Sequence, residues 1–227
     1  MNPPQKIILE GKQVLRFSCA EANAPVVYLH TYQEEGTAVL AQCETLNCPP
    51  FHLVSISGLR WEEELSPWPH PPVLSNRDHF TGEAEDYAAC LTEKILPWAE
   101  KQLSPSCRIL AGYSMGGLFA LYAPFITGTF SKVAAVSGSV WYPGFVPYVQ
   151  SHQTVKPLQA VYLSLGKLEP RTRNRYLRQT EACMQALLDH YRQQAIPAVF
   201  ESNPGNHFQD APLRIAKGIA WTLNNAR

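Results

Sequence analysis

The residues best suited to chemistry form the pattern Gly-x-Ser-x-Gly at 112–116, with Ser114 at its centre. A mostly apolar run at 108–111 precedes the pattern, and a helix-forming run at 117–122 follows it. A strand, a tight turn at the serine and a helix form a nucleophile elbow, in which the two glycines allow close approach of strand and helix. The free N–H groups at the helix start point toward charge that develops at the serine. The pattern predicts Ser114 as a catalytic nucleophile; the alternative is a plain turn that the serine caps.

His207 is the histidine whose place in the chain suits a general base for Ser114. A serine hydroxyl is a weak nucleophile until a base takes its proton, so a histidine must lie within hydrogen-bond reach. Of the seven histidines, His207 lies in a loop between the last predicted strand and the last predicted helix. Enzymes with such an elbow carry the serine first, the acid next and the histidine last. His30 precedes the serine, against this order, so we predict His207 as the base.

A carboxylate must hold the imidazole in one tautomer and stabilise its protonated form. Glu169 is the only carboxylate at the end of the strand predicted at 159–165, and we predict it as this acid. Asp210, just beyond the histidine, is the reserve candidate. The alternative for Glu169 is a helix N-terminal charge that answers the arginines at 171, 173, 175 and 178. For the arginines we favour a solvated helix face over a patch that attracts an anionic substrate.

Acyl transfer also needs N–H donors for the oxyanion of the tetrahedral intermediate. The elbow itself places the backbone N–H of Met115 beside the serine. A second donor normally comes from the loop after the first inner strand, which here begins at His30. We predict the N–H of Tyr32 as this donor, with Thr31 as its neighbour.

Strands and helices must alternate along the chain to bring these residues together. The predicted strands lie at 6–10, 13–19, 26–30, 51–56, 108–111, 132–136, 159–165 and 198–202. The predicted helices lie at 34–45, at 82–103 with an interruption near Pro97, directly after Ser114, at 174–194 and at 212–223. This alternation indicates one α/β domain over 1–227, with a mainly parallel central sheet, helices on both faces and an N-terminal antiparallel hairpin. Ligands of such sheets bind beyond the carboxyl ends of the strands.

Aromatic residues cluster on the loops predicted at this edge of the sheet. The segment 61–80 is rich in Pro and Trp and is predicted as a long loop, which in a compact domain is often functional. Together with Tyr32, four residues are predicted to form an aromatic pocket for the acyl or alcohol group: Trp61, Trp68, Trp141 and Tyr142. The alternative is that Trp61 and Trp68 only pack the long loop onto the domain.

Composition narrows the class of protein. With 227 residues, of which 45% are hydrophobic, the chain can bury a substantial core. Nineteen basic and nineteen acidic residues balance, which argues against nucleic acid or an anionic membrane surface as the main partner. The sequence has no long apolar stretch and no signal-peptide pattern at its start, so we expect a cytoplasmic protein. The six cysteines form no Cys-x-x-Cys pair and are expected as reduced thiols; a disulfide or metal at Cys43 and Cys48 is only weakly indicated.

Three motifs in order carry a resemblance to a known family. The segments 112–120, 137–142 and 205–208 together resemble the "Putative esterase" branch of the α/β-hydrolase superfamily, which includes esterase D and enterobactin-type siderophore esterases. The match runs from about Pro25 to the C-terminus, and 61–68 resembles a Trp…Ser-Pro-Trp loop of small bacterial members. The resemblance implies an α/β-hydrolase fold, with Ser114 and His207 catalytic and Glu169 at the acidic position of a Gly-x-x-Glu loop. Some siderophore esterases of this branch rely on a Ser–His pair, so the acid stays open.

From these observations we expect a serine hydrolase that cleaves the carboxylic ester of a small molecule through an acyl-enzyme, without cofactor or metal. A thioesterase or acyltransferase is the alternative within the same chemistry, because a thiol or an alcohol can replace water. A catalytically silent binding module is the alternative from another class, and the set Ser114, Glu169 and His207 speaks against it.

Overall fold

The computed structural model describes residues 4–225, which build one central sheet covered by helices on both faces. The strands are β1 (Gln5–Leu9), β2 (Lys12–Phe17), β3 (Val26–His30), β4 (His52–Ser57), β5 (Pro69–His70), β6 (Phe80–Thr81), β7 (Arg108–Tyr113), β8 (Lys132–Val136), β9 (Ala160–Gly166) and β10 (Ala198–Asn203). The helices are α1 (Gly36–Thr45), α2 (Ala84–Cys90), α3 (Leu96–Ala99), α4 (Met115–Tyr122), α5 (Phe145–Ser151), α6 (Thr180–Gln193) and α7 (Ala211–Asn224).

Within the described residues the main sheet has eight strands in the order β1-β2-β4-β3-β7-β8-β9-β10. From β4 to β10 in this order, neighbouring strands are parallel. Strands β1 and β2 form an antiparallel hairpin, and β2 also pairs antiparallel with β4. Every residue of β3, β8 and β9 is buried, as expected for parallel strands with helices on both faces. The predicted α/β-hydrolase architecture with an N-terminal hairpin is therefore confirmed.

Two apolar cores lie on the two faces of the sheet. In β3 the side chain of Tyr28 joins the core that contains α2 and α4, while its neighbours Val27 and Leu29 join the core that contains α1 and α7. This alternation follows from the two-residue period of a strand. Helix α4 is buried along its whole length, so the elbow stands on a rigid support.

The helical segments differ in detail from the predicted ones. The helix predicted at 82–103 is interrupted by a π-helical turn, Leu91–Ile95, between α2 and α3. Pro97 has no N–H for the carbonyl of Glu93, and a wider turn accommodates this loss. Helix α6 begins at Thr180 rather than at 174, because the side chain of Asn174 accepts hydrogen bonds from the N–H groups of Tyr176 and Leu177 and shapes a turn there.

Three further elements were not predicted. Helix α5 lies in the segment after the loop at 137–143. Strands β5 and β6 pair antiparallel and join the middle of the long Pro- and Trp-rich loop to its C-terminal end. None of them has a strong sequence pattern, because each contains only a few residues and owes its position to packing.

The register of the parallel strands aligns their carboxyl ends. His30 pairs with Gly112, Gly112 with Ala135 and Gly166 with Asn203. The loops that follow β3, β7, β8, β9 and β10 therefore open at the same edge of the sheet. All the residues predicted for the nucleophile, base, acid and oxyanion donors lie on these loops.

Candidate active site

Ser114 lies at the junction between β7 and α4 with φ 54° and ψ −120°. Such angles cost a non-glycine residue about 1–3 kcal/mol and persist only where the surrounding structure holds the residue in place. The N–H of Ser114 donates to the carbonyl of Val136 at 3.1 Å. Its own carbonyl accepts from the N–H groups of Gly117 at 3.0 Å, Leu118 at 3.1 Å and Ser139 at 3.0 Å. These bonds fix the strained turn and point the serine side chain out of the sheet edge.

The glycines of the elbow are required by close packing. A Cβ on Gly112 would lie 2.3 Å from the backbone of Gly116, so strand and helix touch at this point. A Cβ on Gly116 would lie 3.0 Å from Cβ of His30. The sequence argument for the two glycines is confirmed by these distances.

His207 and Glu169 meet at the edge of the sheet. The imidazole Nδ1 donates to Oε2 of Glu169 at 2.7 Å, which leaves Nε2 as the atom that can take a proton. Oε1 of the same carboxylate accepts from the hydroxyl of Ser137 at 2.7 Å and from the N–H of Gly166 at 2.6 Å. Burial alone opposes ionisation of Glu169, but the hydrogen bonds from His207, Ser137 and Gly166 hold its pKa below the ordinary value.

Asp210, the reserve acid, lies elsewhere. It is exposed, with φ 54° and ψ 31°, directly before α7. Its carbonyl accepts the N–H of Arg214 at 2.9 Å, in the first turn of that helix. Glu169, and not Asp210, is therefore the carboxylate that contacts the imidazole of His207.

The hydroxyl of Ser114 lies 3.4 Å from Oγ of Ser139. Ser114 and His207 line the same two cavities, so the serine and the imidazole face a common space. In free enzymes the hydrogen bond between nucleophile and base is often long and tightens only when substrate binds. The geometry is therefore compatible with proton transfer between the two side chains.

Of the two predicted oxyanion donors, Met115 directly follows Ser114 and Tyr32 lines the larger cavity together with it. Met115 is the first residue of α4, where the first N–H groups have no acceptor within the helix. Thr31 donates its N–H to the carbonyl of Ile56 at 3.0 Å and so fixes the start of the loop that carries Tyr32. The ring of Tyr32 is exposed and lies edge-on to Trp61 with 5.4 Å between centroids.

His30 is a buried histidine in the lining of the larger cavity. It is fully buried below the elbow, and burial lowers its pKa to about 4. Its Nδ1 lies 3.4 Å from the carbonyl of Ala111, and its ring packs against Phe119 and Tyr87. This imidazole lies at the start of the loop that carries Tyr32, the predicted second oxyanion donor.

Two cavities meet at Ser114, His207 and Phe208. The larger has a volume of about 330 Å³, and its other lining residues are His30, Thr31, Tyr32, Glu35, Trp61, Tyr113, Ala211 and Ile215. The smaller has a volume of about 190 Å³, and its other lining residues are Leu74, Ser137, Gly138, Ser139, Trp141, Glu169, Leu177 and Thr180. The larger volume lies in the range of about 300–1,000 Å³ that small-molecule sites occupy.

The four aromatic residues predicted for the pocket separate into two groups. Trp61 lines the larger cavity and Trp141 the smaller one. Trp68 and Tyr142 belong to neither lining: the hydroxyl of Tyr142 donates to the carbonyl of Trp68 at 2.6 Å, and Nε1 of Trp68 donates to the carbonyl of Pro143 at 3.1 Å. These bonds pack the long loop onto the domain, which is the alternative that the sequence left open for Trp68.

Several site residues escaped the sequence analysis. Phe208, whose side chain is 89% exposed, separates the two cavities. Its place directly after His207 was the available signal. Arg214 and Ser137 contact Glu169, and Glu35 lines the larger cavity. The spacing of these residues in the sequence does not predict these positions. They come from elements that only the fold brings together.

The arginines at 171, 173, 175 and 178 are all exposed. Leu177 and Thr180 from the same segment line the smaller cavity, whereas none of the four arginines does. Among residues 4–225, no group of three or more histidine, cysteine, aspartate or glutamate side chains is arranged to hold a metal ion. None of the helices in that range is both long and apolar enough to cross a membrane.

The chain is similar to known proteins over most of its length. The family described as "Putative esterase" matches residues 54–211. The uncharacterized protein YbbA of Bacillus subtilis (strain 168) is 23% identical over 164 residues, which cover 68% of this chain and 66% of that protein. The chain thus spans just under two thirds of the length of this curated relative.

Solved structures share the fold. The siderophore hydrolase EstA from Aspergillus nidulans is 18% identical with a TM-score of 0.77, over 98% of this chain and 94% of that one. An IroE-like serine hydrolase from Shewanella oneidensis is 17% identical with a TM-score of 0.77, over 97% and 79% of the two chains. The enterobactin esterase FES from Shigella flexneri is 18% identical with a TM-score of 0.72, over 98% of this chain and 59% of that one.

Proposed function

Because this chain belongs to the "Putative esterase" family of carboxylic ester hydrolases, we propose that it hydrolyses its ester through Ser114 as nucleophile, His207 as general base and Glu169 as acid. The observation that carries the proposal is the 2.7 Å hydrogen bond from His207 to Glu169, at the mouth of the cavities that Ser114 also lines. The same edge of the sheet holds the strained turn at Ser114.

The reaction proceeds in two halves. Nε2 of His207 takes the proton of the Ser114 hydroxyl while Oγ attacks the ester carbonyl, and Glu169 stabilises the imidazolium. The N–H groups of Met115 and Tyr32 donate to the oxyanion of the tetrahedral intermediate. His207 then gives the proton to the leaving alcohol, and the acyl-enzyme forms. A water molecule, activated by His207 in the same way, releases the acid and restores Ser114.

The substrate is a small-molecule ester with an apolar or aromatic group that occupies the larger cavity. Aromatic side chains line much of that cavity: Tyr32, Trp61, Tyr113 and Phe208. Glu35 is its one carboxylate, and no lysine or arginine belongs to its lining. An anionic group is therefore disfavoured there, and a neutral or cationic group is favoured. The smaller cavity receives the other side of the ester. We also expect the protein to be located in the cytoplasm.

Replacement of Ser114 by alanine tests the proposal. We expect Ser114→Ala to fold and to lose hydrolysis of short p-nitrophenyl esters by several orders of magnitude, because the nucleophile is absent. Labelling with a fluorophosphonate probe should occur in the native protein and not in the variant. Undiminished turnover in the folded variant would exclude this mechanism, and a native protein that the probe does not label would favour a silent scaffold.

The acyl acceptor is tested separately. If water is the acceptor, added alcohols and thiols leave the free acid as the main product. A transferase would instead form a new ester or thioester in proportion to the added nucleophile, and a thioesterase would prefer thioester substrates. The ratio of products at fixed ester consumption separates these activities.

A further inference from the structure

Arg214 is a fully buried cation directly behind the predicted acid and base. It lies in the first turn of α7 and is 1% exposed. Moving a guanidinium out of water is costly, and such a group is retained only where it is paired and hydrogen-bonded. Its bonds therefore indicate what it does for the site.

The guanidinium of Arg214 joins the two loops that carry Glu169 and His207. We name residues 166–169 the acid loop and residues 204–210 the base loop. Nη1 of Arg214 donates to Oε1 of Glu169 at 3.3 Å, and Nη2 donates to the carbonyl of Pro204 at 2.5 Å. A Cβ on Gly166 would lie 2.9 Å from Nη1, so the acid loop packs directly on the guanidinium.

Tyr113 extends this contact to the nucleophile elbow. Its hydroxyl accepts from Nη1 of Arg214 at 3.3 Å and donates to the carbonyl of His207 at 2.8 Å. Burial raises the pKa of Tyr113, so the hydroxyl keeps the proton that it donates. Because Tyr113 immediately precedes Ser114, one network connects the three loops that carry the nucleophile, the acid and the base.

The two oxygens of the Glu169 carboxylate have different hydrogen-bond partners. Oε1 accepts from Arg214, Ser137 and Gly166, whereas Oε2 accepts from His207. A carboxylate held through one oxygen can present the other in a single direction. Arg214, together with Ser137 and Gly166, thus fixes the direction in which Oε2 of Glu169 accepts the hydrogen bond from the imidazole.

We propose that Arg214, with the hydroxyl of Tyr113, is a positioning residue that sets the carboxylate of Glu169 and the loop of His207 for proton transfer with Ser114. This inference rests on the proposed function and adds two residues to it. Arg214 touches neither cavity, so it acts through Glu169 and the base loop rather than on the substrate.

The charge of Arg214 has a second effect. The cation beside Glu169 offsets part of the negative charge of the carboxylate, so removal of Arg214 would leave that charge to act undiminished on the imidazole. The titratable or charged groups that contact the imidazole, its loop or its carboxylate partner are Glu169 on the acid loop, Tyr113 at the end of β7 and Arg214 on α7, and Glu35 lies across the larger cavity. Arg214 is the only cation in this set.

Three variants and one control test the proposal. Arg214→Met removes the charge and the hydrogen bonds, Arg214→Lys keeps the charge, and Tyr113→Phe removes only the hydroxyl. Lys217→Met is the matched control, because Lys217 lies on the same helix and forms an ion pair with Glu201 at 2.6 Å, away from both cavities. Each protein is measured for thermal unfolding, for kcat and KM on a p-nitrophenyl ester, and for kcat/KM against pH.

We expect kcat to fall by about tenfold to a hundredfold in Tyr113→Phe and Arg214→Lys, with KM nearly unchanged, because the base is displaced and the cavities are not. In Arg214→Met the acid limb of kcat/KM should move to higher pH, and Arg214→Lys should restore its position. If Arg214→Met does not fold, Tyr113→Phe and Arg214→Lys still test positioning through kcat. The proposal would be overturned if the Arg214 and Tyr113 variants lost only as much thermal stability as Lys217→Met and kept the native kcat and the native acid limb of kcat/KM.

The test also separates this inference from the proposed function. If Ser114→Ala abolishes turnover and fluorophosphonate labelling while the Arg214 and Tyr113 variants behave like the control, only the positioning role fails. If Ser114→Ala keeps its activity, the proposed mechanism fails first. Slower labelling of Ser114 in the Arg214 variants, with the same labelled residue, would support the positioning role directly.

Discussion

At the scale of single residues, the contacts of Glu169 bear most directly on the choice between its two predicted roles. Its carboxylate is buried and receives four hydrogen bonds, from His207, Ser137, Gly166 and Arg214. A helix N-terminal charge that answers exposed arginines would not be enclosed in this way. The geometry therefore favours the role of triad acid over that alternative.

The pair Glu169→Gln and Asp210→Asn tests the identity of the acid. Glutamine keeps the shape of the side chain, but its amide does not stabilise an imidazolium and can present a donor to Nδ1. We expect kcat to fall by about a hundredfold to ten-thousandfold in Glu169→Gln, as when a triad carboxylate becomes an amide. Asp210→Asn, at an exposed position in the same region, should keep kcat within about twofold.

Steady-state kinetics of the two variants on one p-nitrophenyl ester is the measurement. A large loss in Asp210→Asn with little change in Glu169→Gln would reverse the assignment. Equal, small losses in both would indicate that a Ser–His pair suffices, as in some siderophore esterases of this branch.

At the scale of elements, the elbow depends on how closely β7 and α4 approach. Gly112 and Gly116 lie in backbone contact, and Gly116 also lies against His30 and Trp61. A side chain at either position would push the start of α4 away from β3. Since Met115 at the helix start and Tyr32 after β3 are the proposed oxyanion donors, their separation would change.

Gly116→Ala should therefore reduce both stability and activity. The added Cβ would lie 3.0 Å from Cβ of His30, and overpacking of this kind costs about 1–3 kcal/mol. This overpacking cost equals or exceeds the stability of up to about 1 kcal/mol that alanine, as a better helix former than glycine, adds to a helix. We expect a lower Tm and a lower kcat on p-nitrophenyl esters, with Ser114 still present.

Gly128→Ala is the control for this variant. The three atoms nearest to its added Cβ would be methylene carbons of Lys156, a flexible side chain that can move. Its Tm and kcat should remain close to those of the native protein. Native kcat in Gly116→Ala would show that the spacing of the two oxyanion donors does not limit the reaction.

At the scale of the whole molecule, the larger cavity is assembled from distant parts of the chain. The loop after β3, the start of α1, the long Trp-rich loop, the base loop and α7 each supply part of its lining. Glu35, directly before α1, is its single carboxylate. The proposed charge preference of the site thus depends on the fold rather than on any motif.

Matched esters test this charge preference. We compare esters of one acid with three alcohols of similar size: the cationic choline, the isosteric, neutral 3,3-dimethylbutanol and an anionic hydroxycarboxylate. The native protein should disfavour the anionic esters and favour the cationic ones, because Glu35 faces the bound group. Glu35→Gln should narrow both ratios of kcat/KM, and the exposed neighbour Glu34→Gln should not. Ratios that do not respond to Glu35→Gln would contradict the prediction.

The predictability of each element follows its physical origin. Strands such as β8 and β9 were predictable because burial on both faces requires an unbroken apolar run. The start of α6 was not, since the side chain of Asn174 forms a local turn that competes with the helix. Trp68 and Trp61 look alike in sequence, yet one packs the long loop and the other lines a cavity.

Chemical identity and chain order were the basis for predicting Ser114, His207 and Glu169, because the turn geometry and the order of a triad leave local signals. The tertiary structure decided which carboxylate meets His207, which aromatic residues line the cavities and where Arg214 lies. These contacts join residues far apart in the chain, and their distances depend on strand register and helix packing rather than on any local pattern. The strand–turn–helix of the elbow is local, whereas the fold assembles the buried network around Glu169 and the cavity beside Ser114.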